Sequence, residues 1–303
     1  MSILAIDADS ITYKACFIAE KTVYDIIPLG KEALVDDYEQ YKPFLIETFL
    51  LVKDYKAWLK EKGKTVDDFI RVSRVQMQPV SFALQVVGNM LRDIIGAIGA
   101  EQTIIYITGD NNFREDMAVM RGYKESRRKK ERPVYYEACR EYMLKHWNAV
   151  QVDGQEADDA VAQMATSCEL DDQHCIIATI DKDLNTVAGW KYNYDKKELF
   201  YVSDKEAAYN FYTQLLVGDK SDDIPGVPGI GEKTVPKLLA PCKDEYDMYR
   251  VSLAAYNEAY KVEKTRHNRK TADKIGEKVL RENANLLHMR RFIGELWTPP
   301  TRQ

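Results

Sequence analysis

Three short, largely apolar runs, at residues 3–6, 103–108 and 175–180, are each followed closely by an aspartate: Asp7, Asp110 and Asp181. Runs of this length with little polar alternation suit strands buried on both faces, and such strands belong to parallel sheets. Helical spacing fills the intervals. It predicts helices over 42–62 and 81–98, stopped by Gly63 and Gly99, and further helices over 134–147, 156–168 and 203–217. A short strand is expected at 149–152 and a late strand or hairpin at 192–194 and 199–202. Strands alternating with helices predict an α/β fold with a mostly parallel central sheet flanked by helices. In sheets of that kind function gathers at the carboxyl ends of the strands, where these three aspartates stand.

More acids follow the same pattern. Asp9 comes just after Asp7, Asp183 just after Asp181, Glu156, Asp158 and Asp159 open a helix, and Asp219 and Asp222 come later. Hard cations such as Mg²⁺ take oxygen ligands. A pair of them can activate a water and neutralise charge on a scissile phosphate. So many carboxylates share one pocket only if cations offset their repulsion. Singly, each cluster reads equally well as a helix-start partner of the dipole or as a solvated turn. Their joint occurrence after three core strands points to phosphodiester chemistry.

Residues 218–234, GDKSDDIPGVPGIGEKT, join two kinds of chemistry. On one helical turn Asp219 and Asp222 would share a face. Gly226, Gly229 and Gly231 then let the backbone come close to a partner, ahead of a helix expected to begin near Glu232. A helix start presented this way suits the phosphate of DNA.

Other classes are excluded. Five cysteines without CxxC spacing and four histidines without an HxxxH pair argue against a zinc site or a disulfide framework, and free thiols fit the cytoplasm. No apolar run approaches the roughly 18 residues of a membrane span, and MSILAIDADS lacks the basic start of a signal peptide. The net charge of −5 argues weakly against a nucleic-acid binder, but local basic patches count for more than the sum. The densest such patch is 123–133, whose ordinary reading is a solvated loop.

The blocks QEADD (155–159), ATIDKDL (178–184) and 218–234 resemble, in order and rough spacing, the signature blocks of the 5′-nuclease superfamily. That superfamily includes the 5′-nuclease domain of bacterial DNA polymerase I, phage 5′-exonucleases and flap endonucleases. The resemblance implies a metal site built from Asp7, Asp110, Glu156, Asp158, Asp159, Asp181, Asp183, Asp219 and Asp222, while Asp9 has no clear counterpart and Asp223 stands where relatives often have Asn. It implies two or more Mg²⁺ ions, with Mn²⁺ as a substitute. Tyr123, Lys124 and Arg127 resemble the start of a helical arch or gateway, here about 113–147. Tyr123 would stack on a base near the cut, Lys124 and Arg127 would meet the scissile phosphate, and Arg114 and Arg128 would contact DNA nearby. With Asp158 and Asp181, Tyr123, Lys124 and Arg127 form the expected catalytic group. Gly226, Gly229, Gly231, Lys233 and Thr234 fall in a stretch, about 218–240, that resembles the helix–three-turn–helix motif, which grips duplex DNA and often holds a K⁺ ion.

The resemblance further implies an α/β nuclease core over 1–210 and a helical region over 211–303. The implied activity is a structure-specific 5′-3′ exonuclease or flap endonuclease acting on duplex DNA with a 5′ end, flap or nick in replication, repair or recombination, from a free-standing monomer, phage-encoded or otherwise. An inactive DNA-binding relative and an enzyme acting mainly on RNA primers are the other readings. Only 31 residues separate Lys124 from Glu156, closer to the polymerase-associated members than to phage enzymes with long arches. Residues 20–79 carry none of the blocks quoted for the resemblance, and an inserted helical layer packed by Tyr24, Tyr38, Tyr41 and Trp58 is expected there.

Overall fold

The computed structural model describes residues 2–120, 122–128, 130–261 and 275–302. The side chain of Arg128 and residues 262–274 of the helical region expected over 211–303 lie outside the described residues. Packing divides the chain into two units: Met1–Ile11 with Met90–Arg132 and Arg140–Gln303, and Thr12–Asn89 with Pro133–Cys139. Helices α1 (Asp9–Ala19), α4 (Val80–Ile98) and α7 (Tyr136–His146) each contribute residues to both.

The first unit holds the sheet that the strand pattern predicts. Its six strands are β1 (Ser2–Asp7), β5 (Gln102–Asn112), β6 (Val150–Gly154), β7 (His174–Ala178), β8 (Gly189–Asn193) and β9 (Glu198–Val202), in the order β6-β5-β1-β7-β8-β9. All neighbours are parallel except β8 and β9, which form the expected hairpin. The central strand β1 is apolar because both of its faces are covered: Leu4, Ala5 and Ile6 are fully buried. Helix α8 (Ala157–Leu170) packs Ala157, Ala160 and Val161 against Ala5, Tyr106 and Ile177.

Helices α5 (Phe113–Met117), α6 (Glu125–Arg128), α9 (Asp204–Val217), α10 (Val235–Leu239), α11 (Glu245–Ala259) and α12 (Ile275–Leu287) complete this unit. A second core forms among the last four, where Tyr212, Leu215, Leu216, Val235, Tyr256 and Leu280 are fully buried. Tyr256 ties it together, donating to the Leu215 carbonyl (2.6 Å) and accepting from Asn283 (2.9 Å). The sequence boundary near 210 falls inside α9, and both sides of it belong to this unit.

The second unit corrects two expectations. Residues 20–79 form no helical layer but an antiparallel sheet of β2 (Glu20–Pro28), β3 (Glu47–Phe49) and β4 (Phe69–Met77), in the order β3-β2-β4. The helix expected over 42–62 begins only at Val52, as α3 (Val52–Lys62). Before it, Pro43 sits in a single 3-10 turn and residues 47–49 pair with β2. Spacing over so few residues fits either period, and a vacant sheet edge decided for the strand. One face of this sheet packs Ile26 with Tyr55, Leu59, Trp58 and Phe69; the other packs Ile27 and Val72 with Tyr41 and Tyr38 of the short helix α2 (Tyr38–Tyr41). At its centre Asp25 is fully buried and accepts from Tyr41 (2.8 Å), Thr48 (2.6 Å) and Arg74 (2.5 Å).

Candidate active site

The chain adds β5 and then β6 on one side of β1 before crossing to β7 on the other. The boundary between β1 and β7 is therefore the switch point of the sheet, where adjacent loops separate and leave a crevice at the carboxyl ends. Asp7 is the last residue of β1 and is buried, accepting from Thr179 (3.3 Å) and from the Asp9 N–H (3.3 Å). Asp181 follows β7 by three residues and caps the turn that carries Asp183, whose N–H it accepts at 2.9 Å.

Asp9, which the family pattern leaves aside, is in this crevice. Its carboxylate takes the Thr108 N–H (3.1 Å) and hydroxyl (2.5 Å), while the Thr108 oxygen accepts from Ala157 at the start of α8 (2.8 Å). Asp110, expected as a ligand, is not drawn in. The ladder between β5 and β6 breaks register between Thr108 and Asn112, and Asn111 adopts a left-handed conformation. This irregularity turns Asp110 out to solvent, where its N–H meets Asp153 (2.8 Å). Asp9 was legible only as an acid two residues beyond a strand end.

Helix α8 brings in the next three acids, and they separate into different roles. Glu156 and Asp159 form a capping box at the helix start. Asp159, expected as a metal ligand, is fully buried with both oxygens occupied: Arg114 grips it bidentately (2.5 and 2.9 Å), and the Arg290 (3.0 Å) and Glu156 (3.3 Å) N–H groups donate to it. Arg114, expected on DNA, is 1 % exposed and also donates to the carbonyls of Leu286 (2.9 Å) and His288 (3.2 Å). This pair fastens the start of α8 to the C-terminal segment. A guanidinium fork met by a carboxylate inside the protein is a structural clasp, and neither partner is left for a ligand. Sequence spacing could not show that residues 114, 159 and 286–290 meet.

Tyr123 is a fourth correction. Expected to stack on a base, it is 4 % exposed in the helical core and donates to Glu156 (2.7 Å) and Asp222 (3.0 Å). Lys124 follows in a left-handed conformation, with φ 52°, and its ammonium reaches Glu156 and, at 3.6 Å, Asp222. Arg127 meets Asp222 at 3.2 Å. Burial alone would push the Glu156 carboxyl up, but Lys124 and Arg114 outweigh it and hold it down at about 2.

Of the remaining acids, Asp9 has Arg140 at 3.8 Å, and four others have no such cation. Asp7, Asp158, Asp181 and Asp183 form no ion pair among the described residues. Burial, with the charges of Asp9 and Asp181, pushes Asp7 up to about 8. Burial, with Asp181, Asp219 and Asp222, pushes Asp183 up to about 7. Asp158 is raised well above the carboxylate range by burial and by Asp159 and Glu156. These mutual effects place Asp7, Asp9, Glu156, Asp158, Asp181, Asp183, Asp219 and Asp222 in one electrostatic neighbourhood.

Asp219 and Asp222 reach it on a turn, not on the helical turn their spacing suggests. Gly218–Asp219 (β10) pairs with Ile224–Pro225 (β11), and the acids sit at the tip of that hairpin. Asp223, left-handed at φ 61°, instead accepts the Ser126 N–H (2.8 Å) and holds the start of α6. Gly226 serves packing: a Cβ there would lie 2.2 Å from the Val217 backbone. Gly229 and Gly231 face open space, and Gly229 is left-handed at φ 83°. The helix expected near Glu232 starts at Val235 and has five residues. The N–H groups of Gly231, Glu232 and Lys233 find no acceptor among the described residues, and Lys233 and Thr234 are exposed. Lys124, Arg127, Asp158, Asp181, Asp183, Asp219 and Lys233 all line one cleft of about 770 Å³.

Oxygen donors crowded against one another suit hard divalent cations. Among the described residues, however, no three His, Cys, Asp or Glu side chains form a ready metal site. Repulsion spreads the acids, and Lys124 and Arg127 occupy Glu156 and Asp222. The donor chemistry fits such ions once those two side chains are drawn away.

An open, mostly parallel α/β sheet with buried acids at its switch point defines the structural class. Residues 53–211 match the family described as 5′-3′ exonuclease, N-terminal resolvase-like domain, and the chain belongs to that family, within the 5′-nuclease superfamily. It is 41% identical over 100 residues to DNA polymerase I of Pseudomonas aeruginosa, covering 29% of this chain and 11% of that protein. It is 29% identical over 155 residues to DNA polymerase I of Bacillus subtilis, covering 45% and 17%. The chain thus spans well under a fifth of the length of these relatives. The structure titled T5 D15 protein, co-crystallised with metal ions, shares the fold, with a TM-score of 0.53 over 95% of this chain and 89% of that one at 14% identity.

Proposed function

We propose that this chain is a metal-dependent 5′-nuclease that hydrolyses DNA near 5′ ends, flaps or nicks, as a 5′-3′ exonuclease or flap endonuclease. The observation that carries this reading is the group Asp158, Asp181 and Asp183, in no ion pair among the described residues and lining the same cleft as Lys124 and Arg127, with Asp158 and Asp183 raised by burial and by neighbouring acids. The P. aeruginosa and B. subtilis relatives are DNA polymerases, and the T5 D15 structure was obtained with metal ions, which supports the substrate and the cofactor class.

Asp7, Asp9, Asp158, Asp181, Asp183 and Asp219 would hold Mg²⁺, or Mn²⁺ in its place, with Glu156 and Asp222 joining when freed. The ions supply a water activated at neutral pH and neutralise charge on the phosphate. Lys124 and Arg127 leave Glu156 and Asp222 and donate to the scissile phosphate, so the cations that close the acids in the free protein are the ones a phosphate recruits. Tyr123, holding Glu156 and Asp222 through one hydroxyl, orients these two carboxylates. Residues 218–240 act as a helix–three-turn–helix grip, with the N–H groups of Gly231, Glu232 and Lys233 turned to the duplex backbone. No base edge is read in this arrangement, so selection is by strand ends and duplex shape.

A 5′-labelled flap substrate, incubated with MgCl₂ and with EDTA, tests this reading. Short 5′-labelled products that require Mg²⁺ are expected. Bound but uncut DNA with the metal present would point to an inactive DNA-binding relative, and an RNA 5′ end cut faster than DNA would shift the substrate to RNA primers.

A further inference from the structure

A second cleft in the first unit, of about 690 Å³, lies where β7 and β8 begin, between the sheet and helices α8 and α9. Lys191 of β8 lines it and is 1 % exposed, yet among the described residues its ammonium makes a single hydrogen bond, to the Ala188 carbonyl at 3.3 Å. Arg291 lines the same cleft, and among the described residues its side chain makes one hydrogen bond, to the Thr186 carbonyl at 3.0 Å. Both cations are thus anchored on carbonyls two residues apart, and the Arg291 charge acts on Lys191. Neither forms an ion pair with any acid among the described residues.

This is an unusual place for two cations. Lysine normally extends its head to water, and an ammonium taken from water is costly unless paired. Glu295, whose carboxylate accepts the Arg291 backbone N–H at 2.5 Å, is the acid that acts most on the guanidinium, and Asp204, Glu169 and Glu245 act on it through space, but none of the four forms an ion pair with it among the described residues. Most donors of both groups therefore remain unused. Burial draws the Lys191 ammonium down to about 8, with the Arg291 charge working the same way.

We propose that this cleft is a second, non-catalytic site that holds a phosphate-class oxyanion between Lys191 and Arg291. A tetrahedral oxyanion accepts from both cations at once while the two carbonyls keep their bonds. The source is either inorganic phosphate or the phosphate of a nucleoside monophosphate, the kind of fragment an exonuclease releases. Lys191 and Arg291 play no part in the acidic cleft, so this site stands or falls independently of the proposed nuclease activity.

The test is calorimetric titration of the full chain, in EDTA and at ionic strength fixed with KCl, with inorganic phosphate and separately with deoxyadenosine 5′-monophosphate. Saturable binding is expected in the wild type and, unchanged, in Asp181→Ala. Lys191→Met and Arg291→Gln should each weaken it by roughly ten- to a hundredfold, the worth of one charge-assisted contact. Tighter binding of the nucleotide identifies it as the source; equal binding identifies phosphate. No saturable binding at millimolar ligand, or wild-type affinity in Lys191→Met, overturns the proposal. Should Lys191→Met fail to fold, wild-type affinity in Arg291→Gln does the same.

Discussion

Asp25 and Asp7 are both buried carboxylates, and they are built in opposite ways. Asp25, in the second unit, is surrounded by donors. Burial would raise it, but the bonds from Thr48, Arg74 and Tyr41 outweigh burial and hold it below the usual range. Asp7, in the first unit, is surrounded by acids and pushed up to about 8. Burial works in the same direction on each, so the neighbours decide the sign. A carboxylate saturated by its own protein is structure; one crowded by its own kind is an unfilled demand for cations. The same contrast runs through α8, where Asp159 is saturated by Arg114 and Asp158, one residue away, is not.

The largest expected effect tests the unfilled side. Asp181→Ala should lower cleavage of a labelled flap by roughly a thousandfold, about 4 kcal/mol of transition-state stabilisation, while melting temperature and affinity for uncut DNA stay near wild type. Cleavage at the wild-type rate would remove Asp181 from the metal site. On the saturated side, Arg114→Met leaves Asp159 buried without its partner and should cost about 3–5 kcal/mol in urea unfolding. A loss of activity with unchanged stability would instead return Arg114 to the DNA.

Asp25→Asn should cost on the order of 3 kcal/mol, since Arg74 loses its only buried counter-charge in the second unit. The pH profile sharpens this. A carboxyl depressed in the folded state binds protons more readily when unfolded, so its stabilisation is complete above about 3.9 and is lost as pH falls through the lower folded value. The wild type should therefore lose stability in that acid window, and Asp25→Asn should lose less. The smallest effect belongs to Asp7→Asn. Without metal it relieves repulsion and should raise stability by on the order of 1 kcal/mol, whereas MgCl₂ should stabilise the wild type more than the variant. Equal responses to Mg²⁺ would break the contrast with Asp25.

Much of the first unit was legible because its signals are local. Apolar runs set β1, β5 and β7, and Gly99, left-handed at φ 63°, ends α4 as a helix-stopping glycine does. The second unit was not legible in the same way. Residues 47–49 form a strand only because β2 offers an edge, and Thr48 reaches Asp25 across that pairing. Short segments whose partner lies elsewhere in the chain carry no periodicity of their own.

The amino-acid sequence by itself determined which acids follow which strands, and parallel pairing then carried Asp7 and Asp181 to one edge. Only the tertiary structure decided what each acid became. Asp9 entered the crevice, where Thr108 donates to it, and Asp110 left it because β5 breaks register after Thr108. Asp159 became a clasp because Arg114 arrives from another element, and Tyr123 turned inward to hold Glu156 and Asp222. A carboxylate's role depends on the charge within a few ångströms of it, and that charge comes from residues tens to hundreds of positions away.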